Sequence, residues 1–176
     1  MIVILMGVSG CGKTTIGKQL AGRLGWAFVD GDNYHPVANR AKLSQGIPLT
    51  DEDRKSWLLA LADLIRGYLL RGQPFVLACS DLKQAYRDQL NIDPESIYFV
   101  YLKGSMDLIL HRLRRRTGHF MKASLLASQF EILEEPEGAL VVDISLRPAR
   151  IVDLILAALL ETHPGSFSRS QPPDPL

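Results

Sequence analysis

Only two cysteines, Cys11 and Cys79, occur in the 176 residues, too few for a disulfide framework. No apolar run approaches the roughly 18 residues of a membrane span, so no membrane partner is expected. The opening Met1-Ile2-Val3 has neither a charged n-region nor the apolar length of a signal peptide, and a reducing cytoplasm is the expected compartment. An excess of one charge is also missing. Twenty basic against nineteen acidic residues leave a net +1, so no global field recruits nucleic acid or an anionic surface. His35, His111 and His119 lack metal-ligand spacing, which argues against zinc, and no internal repeat is found. Whatever this chain selects, it selects at a site.

Hydrophobic residues make up 47 % of the chain, enough for one compact domain with a sizeable core, taken as 1–162. Apolar, partly β-branched runs recur at Ile2–Met6, Ala27–Asp30, Phe75–Cys79, Ile97–Leu102 and Ala139–Ile144, with room for a helix between each and the next. That alternation predicts a parallel sheet of five strands flanked by helices, an α/β fold. Helical periodicity marks Thr15–Leu24, the stretch from Trp57 to Leu69, Met106–Leu113 and Pro148–Glu161. Residues 163–176, rich in Pro and Ser, read as a flexible tail. The long, mostly helical insertion over about 33–70 would face whatever binds beyond the carboxyl ends of the strands, as a substrate flap.

Residues 7–14, Gly-Val-Ser-Gly-Cys-Gly-Lys-Thr, follow the first strand run and open the first helix. This is a G-x-x-x-x-G-K-[ST] phosphate-binding loop in its proper context. Gly7, Gly10 and Gly12 let the backbone curl so that N–H groups of Val8, Ser9, Cys11 and their neighbours converge on an anion, aided by the helix dipole. Lys13 would reach the β and γ phosphates, Thr14 would enter a Mg²⁺ shell, and Thr15 would stand beside the nucleotide. ATP and Mg²⁺ are therefore the expected cofactors.

Asp30-Gly31-Asp32 closes the second strand run. Beside a magnesium nucleotide two carboxylates can divide the labour, Asp30 orienting metal-bound water and Asp32 accepting a proton from a substrate hydroxyl. The same residues also suit a turn and helix cap. In the flap, Thr50 with Asp53, or Asp51 with Arg54, looks like an N-cap, while Arg54 could grip a carboxylate with two hydrogen bonds; Arg40 and Lys42 are further cations there. After the third strand run, Ser80 and Lys83 could meet a polyol, and Ser80 or Asp81 could cap the next helix. Arg112, Arg114, Arg115 and Arg116 end a helix before Thr117-Gly118-His119, an arginine-bearing lid over about 114–122 that would neutralise the transferred phosphoryl group and exclude water. Cys11 and Cys79 would be close enough for oxidation to block the site if their strands are neighbours, although inert thiols fit a reducing cell better.

These residues fall in eight ordered blocks: 6–13, 30–36, 46–58, 78–88, 101–104, 118–121, 128–136 and 141–143. Through them, from Met6 to Ser145, the chain resembles gluconate kinases. The resemblance implies ATP-dependent phosphorylation of D-gluconate to 6-phosphogluconate, on the fold of nucleoside monophosphate and shikimate kinases, with strand order 2-3-1-4-5. It implies an acceptor site with cations at Arg54, Lys83 and Arg87, supported by Arg40, and hydrogen-bonding groups at Asp32, His35, Ser80 and His119. Lys13, Asp32 and Arg116 would be catalytic. Arg112, Arg116 and the turn at Arg147 would border the nucleotide. Asp81 departs from the family, which places a small residue there; it could pair with Lys83, repel the acceptor, or face solvent as a cap. Gluconate and ATP are the expected partners, and a homodimer is admitted. A shikimate-kinase-like enzyme and a non-catalytic nucleotide-binding protein are the alternatives.

Overall fold

Strand β1 (Ile2–Met6) is buried at every residue because it lies mid-sheet with both faces covered. The computed structural model describes residues 1–114 and 123–163. Among these, β1 is flanked by β3 (Phe75–Ala78) and β4 (Ile97–Lys103), with β2 (Ala27–Asp30) and β5 (Leu140–Asp143) at the edges. All pairings are parallel and the order is β2-β3-β1-β4-β5, as the family resemblance implies. The five strand runs read from the sequence agree with these bounds to within a residue at each end.

Because side chains alternate across a strand, β1 feeds two separate cores. Val3 and Leu5 join Ile16 and Leu20 of α1 (Lys13–Leu24) and Ile151, Val152, Ile155 and Leu159 of α7 (Pro148–Thr162). Ile2 and Ile4 join Trp57, Leu58, Leu61 and Ile65 of α3 (Asp51–Leu70) and Tyr86 and Leu90 of α4 (Gln84–Leu90). The flap segment becomes a 3-10 turn (Gly31–Tyr34), α2 (Val37–Gln45) and α3. Of the two caps read for α3, Thr50 with Asp53 forms: Thr50 Oγ1 accepts from Asp53 N–H at 3.2 Å and Asp53 Oδ2 from Thr50 N–H at 2.9 Å. Lys42 and the Thr50 N–H hold the Asp53 carboxyl down at about 2.

Helix α5 (Met106–Arg114) starts as expected, whereas α6 (Ala123–Ile132) has no counterpart in the sequence reading. Its Leu125 and Leu126 are buried, and tertiary packing, not an amphipathic stripe, defines it. Residues 115–122, most of the segment read as a lid, and 164–176, nearly all of the segment read as a tail, lie outside the described residues.

Gly31 couples the flap to the sheet. A Cβ there would stand 2.8 Å from the Ala78 carbonyl oxygen, a backbone atom with nowhere to go, so β2 hands over to the 3-10 turn pressed against β3. Trp57 Nε1–H closes the joint from α3 by donating to Gly31 O at 2.8 Å. Gly31→Ala is expected to lower stability by about 1–3 kcal/mol in a urea unfolding titration, through overpacking against fixed backbone.

Candidate active site

At the carboxyl end of β1 the chain turns through Gly7, Gly10 and Gly12, whose φ angles of 136°, 85° and 108° suit glycine and few other residues. Gly12 is the N-cap of α1, so the loop ends where the helix presents its free N–H groups. Val8 and Cys11 are buried beneath the loop and Lys13 reaches back over it, donating from Nζ to Gly7 O at 2.8 Å and Val8 O at 3.1 Å. Ser9 N–H donates to Gln129 Oε1 at 2.7 Å, and Gln129 Nε2 donates to Ser9 Oγ at 3.0 Å. An amide oxygen from α6 thus sits on a loop N–H of the kind that receives phosphate oxygens. Nothing in the sequence pattern assigned Gln129 this position.

Thr14 Oγ1–H donates to Asp30 Oδ2 at 3.0 Å, while Asp30 Oδ1 accepts from Asp32 N–H at 3.2 Å and caps the 3-10 turn. The turn-and-cap reading of Asp30 is thus realised by Oδ1, while Oδ2 is turned to the Thr14 hydroxyl. A hydroxyl beside a carboxylate, next to a phosphate loop, is a donor set suited to Mg²⁺. Among the described residues no group of three or more His, Cys, Asp or Glu side chains could hold a metal ion by itself. Thr15, like Thr14, is exposed at the start of α1.

A cavity of about 280 Å³ opens from this loop toward α3. Ser9, Asp32, His35, Arg54, Ser80, Asp81 and Gln129 line it, with Leu43, Leu49, Trp57 and Tyr86 as apolar wall. His35 is buried and stacks on Trp57, ring centroids 4.4 Å apart and planes 16° apart. Asn39 Nδ2 donates to Asp53 O at 2.6 Å and also faces His35 Nδ1 at 3.4 Å, which leaves Nε2 as the protonated nitrogen of the neutral ring. Burial lowers the His35 pKa below its usual value, against the opposing pull of Asp32. Arg54 reaches the wall with Nη1 on Leu49 O at 2.6 Å and its guanidinium over the Tyr86 ring. That anchorage orients a fork of donors toward the cavity.

Three cations read as acceptor ligands are placed elsewhere. Lys83 donates to both oxygens of Asp51, at 2.8 and 2.7 Å, and Tyr86 Oη–H joins the same carboxylate at 2.5 Å. These contacts lower the Asp51 pKa and tie α4 to α3, keeping Lys83 out of the cavity wall. Arg87 is buried, with Nη1 on Asp81 O at 2.9 Å and Nε and Nη2 on Gln84 Oε1, and faces a second cavity of about 250 Å³ between α4 and β4. Arg40 is exposed on α2, and Lys42 pairs with Asp53 Oδ1 at 2.6 Å.

Asp81 forms neither the ion pair nor the cap expected of it. It neither pairs with Lys83 nor faces solvent, and it caps no helix: the N-cap of α4 is Lys83, with no side-chain cap, and the Gln84 N–H is taken by Glu134 Oε2 at 2.6 Å. Asp81 is 0 % exposed, with φ 41°. Its Oδ1 accepts from Cys79 Sγ–H at 3.0 Å and its Oδ2 has no hydrogen-bond partner. Burial pushes its carboxyl up to about 6, against the weaker pull of the Cys79 thiol, Arg87 and Lys13. The two thiols also part company: Cys11 packs in the core on one side of the sheet and Cys79 in the core on the other, both buried, so their juxtaposition for oxidation is not realised. β1 and β3 are neighbours, the condition set for the thiols to meet, but Cys11 in the loop beyond β1 packs with α1 and α7 while Cys79 just past β3 packs with α3 and α4.

On the nucleotide side, Arg112 of α5 donates to Ile144 O and so ties α5 to the turn after β5. In that turn Asp143 accepts from Ser145 N–H at 2.8 Å and Ser145 Oγ–H at 2.7 Å, and Arg147 stands exposed as the N-cap of α7. Arg116 and His119, read as catalytic and acceptor residues, lie outside the described residues.

The family model described as shikimate kinase matches residues 9–140. Among curated proteins the chain is 51 % identical over 134 residues to the gluconokinase of Gluconobacter oxydans, covering 76 % of this chain and 75 % of that protein. Among solved structures it resembles a gluconokinase from Sinorhizobium meliloti with a TM-score of 0.84 and 41 % identity, over 96 % of this chain and 97 % of that one. Shikimate kinase from Aquifex aeolicus shares the fold at a TM-score of 0.58 with 20 % identity, over 94 % and 99 % of the two chains.

Asp81 ties this site to stability. A carboxyl raised from 3.8 to about 6 by burial opposes folding once it ionises, so its penalty grows as pH rises through that interval and is absent below about pH 4. Asp81→Asn removes the ionisation and suits a positive φ. It is expected to stabilise the protein by about 1–3 kcal/mol at pH 8 and by much less at pH 4.5, as measured by urea unfolding at both values.

Proposed function

The chain belongs to the gluconokinase family, and we propose how its residues divide the work of moving the γ-phosphoryl group of ATP to the 6-hydroxyl of D-gluconate. The observation that carries the proposal is one cavity whose wall includes Ser9 of the phosphate loop, Asp32 and Arg54. A polyol acid laid along it has its reacting hydroxyl at the donor end and its carboxylate at the guanidinium.

Lys13 exchanges its loop carbonyls for β- and γ-phosphate oxygens when ATP binds, and the loop N–H groups from Val8 to Thr15 cradle the rest. Mg²⁺ would be held by Thr14 Oγ1 and, through water, by Asp30, and would neutralise charge on the β and γ phosphates. Asp32 accepts the proton of the 6-hydroxyl. Arg54 takes the carboxylate with two parallel N–H donors, while His35 and Ser80 hydrogen-bond hydroxyls along the chain. In a loose transition state charge neutralisation outweighs proton removal, so Lys13 contributes more to rate than Asp32. The sequence assigns Arg116 to the transferred phosphoryl group, His119 to the acceptor, and Arg112 and Arg147 to the nucleotide border. A magnesium-dependent enzyme of the cytoplasm, its thiols kept reduced, is the setting this reading assigns.

The match to the shikimate kinase model keeps a second acceptor in view, since shikimate also joins one carboxylate to hydroxyls. The closer likeness to gluconokinases, 41–51 % against 20 %, favours the open-chain acid. A coupled ADP-release assay with ATP, Mg²⁺ and D-gluconate, shikimate or nucleoside monophosphates decides: ADP above the no-acceptor rate is expected with gluconate. Release with another acceptor and none with gluconate overturns the substrate, and release with none of them favours a binding protein.

Lys13→Ala should lower kcat by roughly 10²–10³-fold with little change in Tm, because it removes a charge that acts in the transition state from a half-exposed loop. Arg54→Ala should act mainly on KM for gluconate, raising it about 10–100-fold, the loss of a charge-assisted hydrogen bond pair. An unchanged KM removes Arg54 from the acceptor carboxylate.

A further inference from the structure

The acceptor cavity has an acid in its wall where an anionic substrate must lie. Asp81 stands between Ser80 and Leu82, all three lining the cavity, and its side chain is fully buried. One carboxyl oxygen is satisfied by the Cys79 thiol and the other has no partner. No cation is bonded to it either. Arg87 directs Nη1 to the backbone carbonyl of Asp81 and its remaining donors to Gln84, Lys13 is turned to the loop carbonyls, and Lys83 is held by Asp51. The groups around it are therefore Cys79 from the end of β3, Lys13 from α1 and Arg87 from α4, with Asp32 and His35 of the turn, Arg54 and Asp51 of α3 and Tyr86 of α4 around the cavity mouth.

A buried acid oxygen without a donor carries its charge uncompensated, and Oδ2 is enclosed, so neither water nor a ligand hydroxyl relieves it. A polyol acid brings a carboxylate, ionised throughout the neutral range, into a cavity of low dielectric. Two like charges there oppose each other, and the one that can give way is the enzyme's. Building on the gluconokinase reading, we propose that Asp81 couples acceptor binding to protonation: enclosed in the cavity wall with no cation bonded to its carboxyl, it becomes a neutral carboxyl when the sugar acid binds, so that gluconate binding draws in about one proton. The balance is simple. Ionised Asp81, one proton from the buffer and one gluconate anion give the complex with neutral Asp81, and no covalent bond forms or breaks. The carboxyl is already poised for this, since burial holds its pKa at about 6 before any ligand arrives.

Two measurements test it. Gluconate is titrated calorimetrically at pH 7.5 into the full chain, with Mg²⁺ and a non-hydrolysable ATP analogue, in phosphate and in Tris, whose ionisation heats differ. The observed heat should depend on the buffer with a slope near one proton taken up. In steady-state assays KM for gluconate should rise close to tenfold per pH unit from pH 7 to 8.5. Asp81→Asn, a neutral isostere tolerant of the positive φ, should abolish the proton uptake and flatten the KM profile. Buffer-independent heats in the wild-type protein overturn the proposal without recourse to any variant. It is equally overturned if Asp81→Asn keeps the wild-type slope, which would assign the proton to His35, whose neutral ring also lines the wall. Absence of gluconate turnover at every pH would instead sink the gluconokinase reading beneath it, a different and separately visible result.

Discussion

Two backbone hydrogen bonds just beyond the strands hold this protein's chemistry in place. Cys79 N–H donates to Leu5 O at 3.0 Å and Gly7 N–H to Ser80 O at 3.2 Å, so the β1–β3 ladder continues past both strand ends. The first residue of the phosphate loop is thereby joined to the residue that starts the acceptor-side turn. This junction lies at the carboxyl edge of a parallel sheet, where the chain reverses its direction of winding and ligands collect. The spacing of donor and acceptor groups depends on it, because Lys13 and Asp81 are carried by segments that start within a few residues of those bonds, and Asp32 by a turn whose Gly31 presses on the Ala78 carbonyl beside them.

Around that junction, charge is distributed sparingly. Lys42 is held by Asp53 and Lys83 by Asp51, while Arg87 is turned inward to Asp81 O and Gln84. Of the cations read from the sequence on the acceptor side, Arg54 is the one among the described residues that lines the cavity. A single guanidinium would match the single carboxylate of the acceptor proposed above, and His35 and Ser80 share the wall with it. The ion pairs that occupy the other cations also build the wall: Asp51 with Lys83 and Tyr86 locks α3 to α4, and Asp53 caps α3 while holding Lys42 of α2. Residues that look like ligands in one dimension are thus the frame for the one that faces the cavity.

Local rules made most of the donor side legible. The phosphate loop needs glycine at set positions, then Lys and Thr, all within eight consecutive residues, and the structure keeps them adjacent. Asp30 was legible for the same reason, standing at the end of its own strand. The acceptor side was less so. Gln129 comes from 120 residues beyond Ser9, and Trp57 sits under His35 through a stack that no spacing encodes. The fates of Lys83 and Arg87 were decided by partners on other elements. α6 escaped because its helical state answers to packing, and its leucines follow no clean amphipathic stripe.

The sequence by itself determined the α/β alternation, the extents of the strands, the phosphate loop and the cap of α3, since each depends on a short-range pattern: strand pleat, helical period, glycine geometry or a capping box. Tertiary structure alone decided which charges meet. It sent Cys11 and Cys79 to opposite faces of one sheet, took Lys83 to Asp51, and buried Asp81 beside a thiol with one oxygen unpaired. The physical reason is that a charged side chain's role is set by its dielectric surroundings and its partners, and both are supplied by chain segments far away in sequence.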